Sequence, residues 1–186
     1  FAVQVDGRTP LRCEQAEREL LTCFCVDAVH QRHQERRVLQ RALAAEAVGG
    51  ANALLELTVE YLGTRHQFGR PLALFQALKH RCADLKALTA GAQALLSDSL
   101  DRMGVHTDDD GLAAGAELMG KQVKLLASAA YARVAEEALQ LHGGIGMTSE
   151  HVCHLFLKRA MLNEHLGRAQ DHYEADLAAQ LLGGST

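Results

Sequence analysis

The feature of this sequence that most constrains its fold is the scarcity of residues that interrupt helices. Leu and Ala supply 60 of the 186 residues, whereas Val supplies 11 and Ile one, and the only two prolines are Pro10 and Pro71. Leu and Ala are strong helix formers, β-branched residues suit pleated sheets, and proline breaks a helix interior. The composition therefore predicts an all-α fold.

Glycines and polar runs divide the chain into long helical segments. We expect helices over residues 28–63, 71–103, 110–142, 150–166 and 169–182, with Pro71 in the first turn of the second. Asp109 or Asp110 is expected to cap the third helix, and Thr148 or Ser149 the fourth. Long helices joined by short loops predict an antiparallel bundle of four to five helices.

The first 27 residues differ from the rest. Residues 1–7 alternate apolar and polar side chains before Gly7, which is typical of a strand entering a turn, and residues 14–21 suit a short helix or a second extended piece. We expect residues 1–27 to form an extended leader, either an extension packed on its neighbour or the trailing edge of a β-domain. Residues 28–186 then form the helical domain.

Apolar residues recur at helical spacing along two of the predicted helices. On the first the expected buried face is Val38, Ala42, Ala45, Gly49, Leu55, Val59 and Leu62, and on the third it is Met119, Val123, Leu126, Ala130, Val134, Ala138 and Leu141. Helices near 30 residues exceed the average of about 11–12. Apolar residues on more than one face predict an oligomer, homomeric or with a partner subunit.

Charge and composition exclude several functions. The net charge is −4 and aromatic residues make up 4%, which argues against nucleic-acid binding. The Ala/Leu stretch near residue 125 is interrupted by Arg133, Glu136 and Glu137, so no membrane span is expected there. Five cysteines without zinc-ribbon spacing predict free thiols in a reducing cytoplasm.

Ten histidines raise the question of a metal site. His30 and His33 have the i, i+3 spacing of a helical chelate, as do His151 and His154 with Cys153 between them. Each pair lacks a third ligand at a fixed offset. We therefore expect solvated or capping histidines and no metal.

Two loops could bind an anion. Residues 143–146 (Gly-Gly-Ile-Gly) leave the backbone accessible just before a helix N-terminus, although a plain helix–helix turn has the same composition. Residues 65–72 place Arg65, Phe68 and Gly69 together, which suits bidentate binding of a pyrophosphate. The alternative is a polar loop whose Phe68 is anchored in the core.

The two loops together resemble a known family. Tyr61-x-x-x-Arg65-x-Gln67-Phe68-Gly69-x-Pro71-Leu72-x-x-Phe75-Gln76, followed by Gln140-Leu141-His142-Gly143-Gly144-Ile145-Gly146 and Glu150-His151, is similar to the C-terminal helical domain of acyl-CoA dehydrogenases over residues 28–182. The segment from Leu155 to Ala160 most resembles the actinobacterial steroid-type members, which assemble as heterotetramers of catalytic and non-catalytic subunits.

The resemblance implies an FAD site shared between subunits and an acyl-CoA substrate at the assembled site. It assigns Arg65 to the FAD pyrophosphate across an interface. The positions beside it are Gln67, Phe68, Phe75 and Gln76, and those along the adenosine-diphosphate portion are Gln140, Gly143 and Gly144.

The catalytic base of the family is absent from both of its usual places. One corresponds to Leu39, and the other, in a Tyr-Glu-Gly-Thr turn counted without gaps from Gly143, corresponds to Gly167. We therefore expect a non-catalytic subunit or C-terminal portion of an acyl-CoA dehydrogenase. The alternatives are part of a complete dehydrogenase with an unorthodox base, Glu35 or Glu164, and a flavin-free scaffold.

Overall fold

The computed structural model describes residues 13–103, 110–148, 151–167 and 170–183. Within these ranges the helices are α1 (Cys13–Thr64), α2 (Gln76–Met103), α3 (Asp110–His142), α4 (Cys153–His165) and α5 (Gln170–Leu181). A two-stranded hairpin, β1 (His66–Gln67) and β2 (Arg70–Pro71), joins α1 to α2, and short 3₁₀ turns span Leu72–Leu74 and Gly143–Met147. The all-α prediction is confirmed. The strand predicted for residues 1–7 and two of the expected caps, Asp109 and Ser149, lie outside the described residues.

Helix α1 begins earlier than predicted. It begins at Cys13 and not near Ala28, so the described part of the expected extended leader, residues 13–27, is helical. The physical reason is local: Glu, Gln, Ala, Arg and Leu dominate residues 14–21, and neither glycine nor proline follows until Gly49. Internal contacts divide the chain into residues 1–38 and 39–186, and the described part of the first unit is helical throughout.

The second unit is an antiparallel bundle. Arg41 of α1 donates to the Ser99 hydroxyl of α2 at 2.7 Å, while Lys86 of α2 donates to Asn52 of α1 at 3.2 Å. Pairs that run in opposite directions along two helices require antiparallel packing. Lys124 of α3 likewise donates to the Asn163 carbonyl of α4 at 2.7 Å, and α5 joins through the Lys121–Asp176 ion pair at 3.0 Å.

The core is built from small and medium apolar side chains. Its buried members include Ala44, Ala47, Ala51 and Leu54 of α1, Leu85, Ala92 and Leu96 of α2, Val123, Ala127, Val134 and Ala138 of α3, and Cys153 and Ala160 of α4. Burial of such surface stabilises a fold by about 25 cal/mol per Å². The predicted face of α3 is largely confirmed, with Leu126 exposed.

The predicted face of α1 is wrong. Leu55 and Leu62 are buried, but the other five expected members, Val38, Ala42, Ala45, Gly49 and Val59, are exposed. Apolar residues occupy most of the circumference of α1, so spacing alone admits several faces.

A buried polar cluster joins α1, α3 and α4. Asn163 is fully buried; its amide donates to the Leu43 carbonyl at 3.0 Å and its Oδ1 accepts from Ser128 at 2.8 Å. Lys124 donates to Ser128 at 2.7 Å, and burial lowers the pKa of Lys124 to about 8. A hydrogen bond from Arg159 lowers the pKa of Glu46. These groups specify which helix faces meet, because each is costly to bury without its partners.

One stretch of α1, Glu35–Thr64, is long and apolar enough to cross a membrane by length and composition alone. Of its most apolar window of 18 residues, 44% is buried inside the protein. A core helix of a bundle shows the same pattern.

Candidate functional site

The loop between α1 and α2 is a tight hairpin. Its two strands pair His66 with Pro71 and Gln67 with Arg70, and the two turn residues, Phe68 and Gly69, have φ of 55° and 77°. Two successive positive φ values are typical of a type I′ turn, which glycine and asparagine favour over phenylalanine. The backbone therefore holds Phe68 in a conformation that costs it energy.

The hairpin corrects the predicted start of the second helix. Pro71 has ψ of 143° and Phe75 has ψ of 121°, both extended values, with a 3₁₀ turn between them. Because an extended Phe75 cannot continue a helix, α2 begins at Gln76, after the expected position of Pro71 in its first turn.

Phe68 is presented to solvent and is not anchored in the core. Its exposed fraction is 90%, and its ring contacts Phe75 edge-on with the centroids 6.2 Å apart. The Arg70 guanidinium lies 4.0 Å from the centroid of Phe75, so Phe75 is held between the two. The alternative in which Phe68 fills the core is wrong.

The backbone of Arg65 is fixed while its side chain is available. Its N–H donates to the Tyr61 carbonyl at 2.9 Å, and its own carbonyl accepts from the Leu72 N–H at 2.8 Å. The side chain is exposed, and among the described residues its guanidinium has no hydrogen-bonding or ion-pair partner. This segment therefore presents an uncommitted cation at Arg65 and an exposed aromatic ring at the tip of the hairpin.

The loop between α3 and α4 presents accessible backbone. Gly143 has φ of 64°, and neither Gly143 nor Gly144 has a heavy atom within 4 Å of where a Cβ would lie. A Cβ on Gly146 would lie 2.9 Å from the His142 Cβ and 3.1 Å from the Leu139 carbonyl oxygen, so Gly146 serves packing. Gly143 and Gly144 instead face open space.

Of the two hydroxyl caps expected for α4, the one that the structure describes, Thr148, does not cap this helix. The Thr148 hydroxyl donates back to the Ile145 carbonyl at 2.8 Å, and the position before α4 is Val152, which has no side-chain cap. His151 accepts the Cys153 amide at Nδ1 (3.3 Å) and so caps this end.

The two loops meet through Tyr61 and His142. The Tyr61 hydroxyl donates to the His142 carbonyl at 3.3 Å, and their rings stack with centroids 4.5 Å apart. Arg65 follows Tyr61 by one helical turn, and Gly143 follows His142 directly. Residues separated by 81 positions therefore bring the two sequence motifs to one edge of the bundle.

The predicted cofactor-binding residues are accessible. Arg65, Gln67, Phe68, Gln76, Gln140, Gly143 and Gly144 are all exposed, and Phe75 is half-buried. Among the described residues, the contact between Tyr61 and His142 joins the two loops, and the contact between Phe68 and Phe75 joins the tip of the hairpin to the residue before α2. Neither contact joins Arg65 to Gln140, Gly143 or Gly144.

The positions expected for a catalytic base carry no carboxylate. Leu39 is 47% exposed, and Gly167 has φ of 86° with the Tyr173 hydroxyl 3.3 Å from where a Cβ would lie. A side chain at 167 would be strained, because glycine alone adopts this φ at low cost. Glu35 is exposed, and Glu164 is half-buried and contributes to the electrostatic environment of Lys124.

Sequence analysis missed one cluster. The possible ligand atoms of His142, His151 and Cys153 lie within 4.8 Å of one another. His142 ends α3 and Cys153 begins α4, so only the reversal of the chain between them brings these side chains together. His154 instead contacts the His151 carbonyl at 2.7 Å, while the side chains of His30 and His33 lie outside the described part of the chain.

Comparisons with known proteins identify the family of the helical domain. Residues 28–182 match the family model of the acyl-CoA dehydrogenase C-terminal domain. The chain is 48% identical to the acyl-CoA dehydrogenase IpdE2 of Mycobacterium tuberculosis over 118 residues, which is 63% of this chain and 33% of that protein.

Solved structures share the fold. Butyryl-CoA dehydrogenase from Megasphaera elsdenii superposes with a TM-score of 0.72 at 26% identity, over 81% of this chain and 37% of that one. A steroid acyl-CoA dehydrogenase, Tcur3481–Tcur3483, superposes with a TM-score of 0.71 at 26% identity, over 80% of this chain and 39% of that one. The chain thus spans little more than a third of these relatives. It belongs to the acyl-CoA dehydrogenase family, whose C-terminal helical domain it matches.

Proposed function

We propose that this chain supplies one edge of an FAD site and an oligomerisation surface in an acyl-CoA dehydrogenase, as a non-catalytic subunit or as the C-terminal portion of one. The observation that carries the proposal is the junction of Tyr61 with His142. It brings an uncommitted guanidinium, an exposed aromatic ring and an open glycine backbone to one edge of the bundle.

The residues present fit a dinucleotide cofactor. Arg65 is exposed and without a partner among the described residues, so it can form charge-assisted hydrogen bonds to a pyrophosphate. Phe68 offers an apolar ring at the tip of the hairpin. The open space at Gly143 and Gly144 admits a ligand to the backbone, which a side chain there would obstruct.

Each of these residues has a role in binding and not in bond breaking. When bound, FAD supplies the acceptor for the hydride that leaves the β-carbon of an acyl-CoA thioester. Arg65 neutralises the diphosphate, Phe68 and Phe75 shield one side of it from water, and Gln67, Gln76 and Gln140 offer amides for hydrogen bonding. The hairpin geometry fixes the Arg65 backbone before the ligand arrives, which lowers the entropic cost of binding.

The chain needs a carboxylate from elsewhere to complete the reaction. Removal of the α-proton requires a base within hydrogen-bonding reach of the α-carbon, and Leu39 and Gly167 cannot accept a proton. Glu35 precedes Leu39 by one turn, about 5.4 Å along a helix axis, which is too far for it to replace a base at position 39 unless the substrate is shifted. We therefore place the base on a partner subunit.

Apolar residues remain exposed on two helices. Leu39, Leu57 and Val59 lie exposed on α1, and α4 exposes Leu155 and Leu162. Exposed apolar surface on a helical domain is typical of subunit interfaces. We infer that an acyl-CoA dehydrogenase partner, identical or related, covers it. Among the described side chains, Cys82 and Cys153 are free thiols, which suits the cytoplasmic location that we propose.

The flavin edge is tested with Arg65→Ala in the assembled protein. Loss of one charge-assisted contact should weaken FAD binding by about 1.5–3 kcal/mol, or roughly 10- to 150-fold in Kd. The thermal midpoint should change little, because the side chain is exposed. Arg102→Ala is the matched control, since among the described residues Arg102 pairs with Asp98 alone, on the surface at 3.0 Å. Equal FAD retention by both variants would show that Arg65 is an ordinary surface charge, and a parent that never binds FAD would favour the flavin-free scaffold.

The need for a partner subunit that supplies the base is tested by measuring acyl-CoA turnover. The chain alone, with added FAD, should not reduce an artificial electron acceptor in the presence of acyl-CoA, whereas a complex with a partner that carries a glutamate should. Substitution of that glutamate by Gln should abolish the activity. Turnover by this chain alone that is lost in Glu35→Gln or Glu164→Gln would overturn the proposal and identify the base.

A further inference from the structure

Three side chains with metal-binding atoms converge behind the glycine loop. His142 is the last residue of α3, Cys153 is the first of α4, and His151 lies two residues before Cys153. Their possible ligand atoms lie within 4.8 Å of one another, and the two imidazole centroids are 4.4 Å apart. Two nitrogens and one sulfur form a ligand set that zinc accepts readily.

The hydrogen bonds of His142 fix which of its nitrogens is available. Its Nδ1 lies 2.8 Å from the Ala138 carbonyl oxygen, and because a carbonyl oxygen only accepts, Nδ1 carries the proton. Nε2 is then a bare lone pair. His142 is 3% exposed, and its Nε2 is buried without a hydrogen-bonding partner among the described residues. Metal-ligating histidines characteristically donate the other ring N–H to a backbone carbonyl in this way.

A neutral imidazole is the form that binds metal, through a ring nitrogen that carries no proton. An orphaned buried nitrogen normally costs stability, so its retention points to a ligand.

Cys153 and His151 complete the set. Cys153 is fully buried, with its Sγ 3.4 Å from the His142 Nδ1. His151 is half-buried, and its Nδ1 accepts from the Cys153 amide at 3.3 Å, a bond that the ring must give up to offer this lone pair to an ion. A tetrahedral zinc ion with Zn–N of about 2.0–2.1 Å and Zn–S of about 2.3 Å separates its ligands by about 3.4–3.6 Å. The limit of 4.8 Å on their present separations exceeds this by about 1.3 Å, so the side chains must close by no more than that on an ion.

We propose that His142, His151 and Cys153 form a binding site for a zinc-class divalent cation, with a fourth position left for water. On binding, the Cys153 thiol loses one proton to solvent and a metal–thiolate bond forms, while both imidazoles bind as neutral donors. The ion ties the end of α3 to the start of α4 across the Gly143–Met147 turn. The site does not depend on the proposed flavin function.

Cobalt(II) is the probe, because a thiolate ligand produces a charge-transfer band and tetrahedral coordination produces intense visible bands. The full chain, without an affinity tag, should bind one equivalent of cobalt with both signals, and zinc should displace it and raise the thermal midpoint. Cys153→Ala should abolish the charge-transfer band and weaken binding by more than about 100-fold, since even the outer-shell partners of ligands are worth about 10–100-fold.

Two matched controls separate this site from adventitious binding. Cys82→Ala removes the other described thiol, and His154→Ala removes a neighbouring histidine outside the cluster; both should keep the cobalt spectrum. If the alanine variants unfold, Cys153→Ser and His142→Gln replace them with side chains of similar size. Cys153→Ser should lose the charge-transfer band, and His142→Gln should bind cobalt more weakly. Absence of a one-equivalent complex in the parent, or a spectrum that survives Cys153→Ser, would overturn the proposal.

Discussion

Two adjacent glycines in α1 offer a direct test of the packing of this bundle. A Cβ on Gly50 would lie 2.6 Å from Cζ and 2.7 Å from the hydroxyl oxygen of Tyr131, which is 2% exposed. A Cβ on Gly49 would meet nothing within 4 Å. Gly50→Ala and Gly49→Ala therefore make the same chemical change in one helix with opposite steric consequences.

The magnitudes follow from the two environments. Alanine is preferred to glycine in a helix by about 0.5–1 kcal/mol, so Gly49→Ala should stabilise the protein by that amount. At Gly50 the same gain is opposed by overpacking against a buried ring that must move by almost 1 Å, which costs about 1–3 kcal/mol. Because the helix preference cancels between the variants, their difference reports the overpacking cost alone, about 1–3 kcal/mol.

Chemical denaturation of both variants and the parent measures this difference. At about 2–4 °C per kcal/mol for a chain of this size, the thermal midpoints should differ by roughly 2–12 °C, with Gly49→Ala the higher. In a Tyr131→Leu background the gap should shrink, since the obstructing ring is gone. Equal stabilities for Gly49→Ala and Gly50→Ala would refute the close approach of α1 to α3 at Tyr131.

Three further predictions follow from the same packing. Asn163→Leu should cost about 1–3 kcal/mol of unfolding free energy in denaturant titrations, because it removes the acceptor of the buried Ser128 hydroxyl and a donor to the Leu43 carbonyl, whereas Leu162→Asn on the exposed face should stay within about 0.5 kcal/mol. The pKa of Lys124 is about 8 when folded and 10.5 when unfolded. Between those pH values the unfolded chain holds a proton on this group that the folded protein lacks, so the group adds stability as pH rises. The free energy of unfolding of Lys124→Met, relative to that of the parent, should therefore fall by up to about 1.4 kcal/mol per pH unit in this range. A difference that does not change with pH would refute the pKa shift. Finally, light scattering at micromolar concentration should show a dimer or tetramer, and a monodisperse monomer would contradict the proposed interface.

Local sequence determined the class of the fold and most helix ends. Leu and Ala set the helical state residue by residue, and Gly143 and Gly167 end helices because they adopt positive φ at low cost. The end of α3 and the loop residues of the site were therefore predictable. The family resemblance supplied the site residues, and the exposure of Arg65 agrees with the role that it implies.

Tertiary structure alone decided which surfaces meet. Helix α1 is apolar around most of its circumference, so contacts with distant residues determine which face is buried. Arg41 donates to Ser99 of α2, and the Leu43 carbonyl accepts from Asn163 of α4. Lys124 and Asn163 are polar residue types that usually lie on the surface. Both are buried here, because their hydrogen-bonding partners include residues of other helices. The hairpin at Phe68 and the cluster at His142 likewise depend on residues that local propensity does not relate. Propensity acts between near neighbours, whereas these contacts join residues up to 120 positions apart, and only the packed bundle brings such residues together.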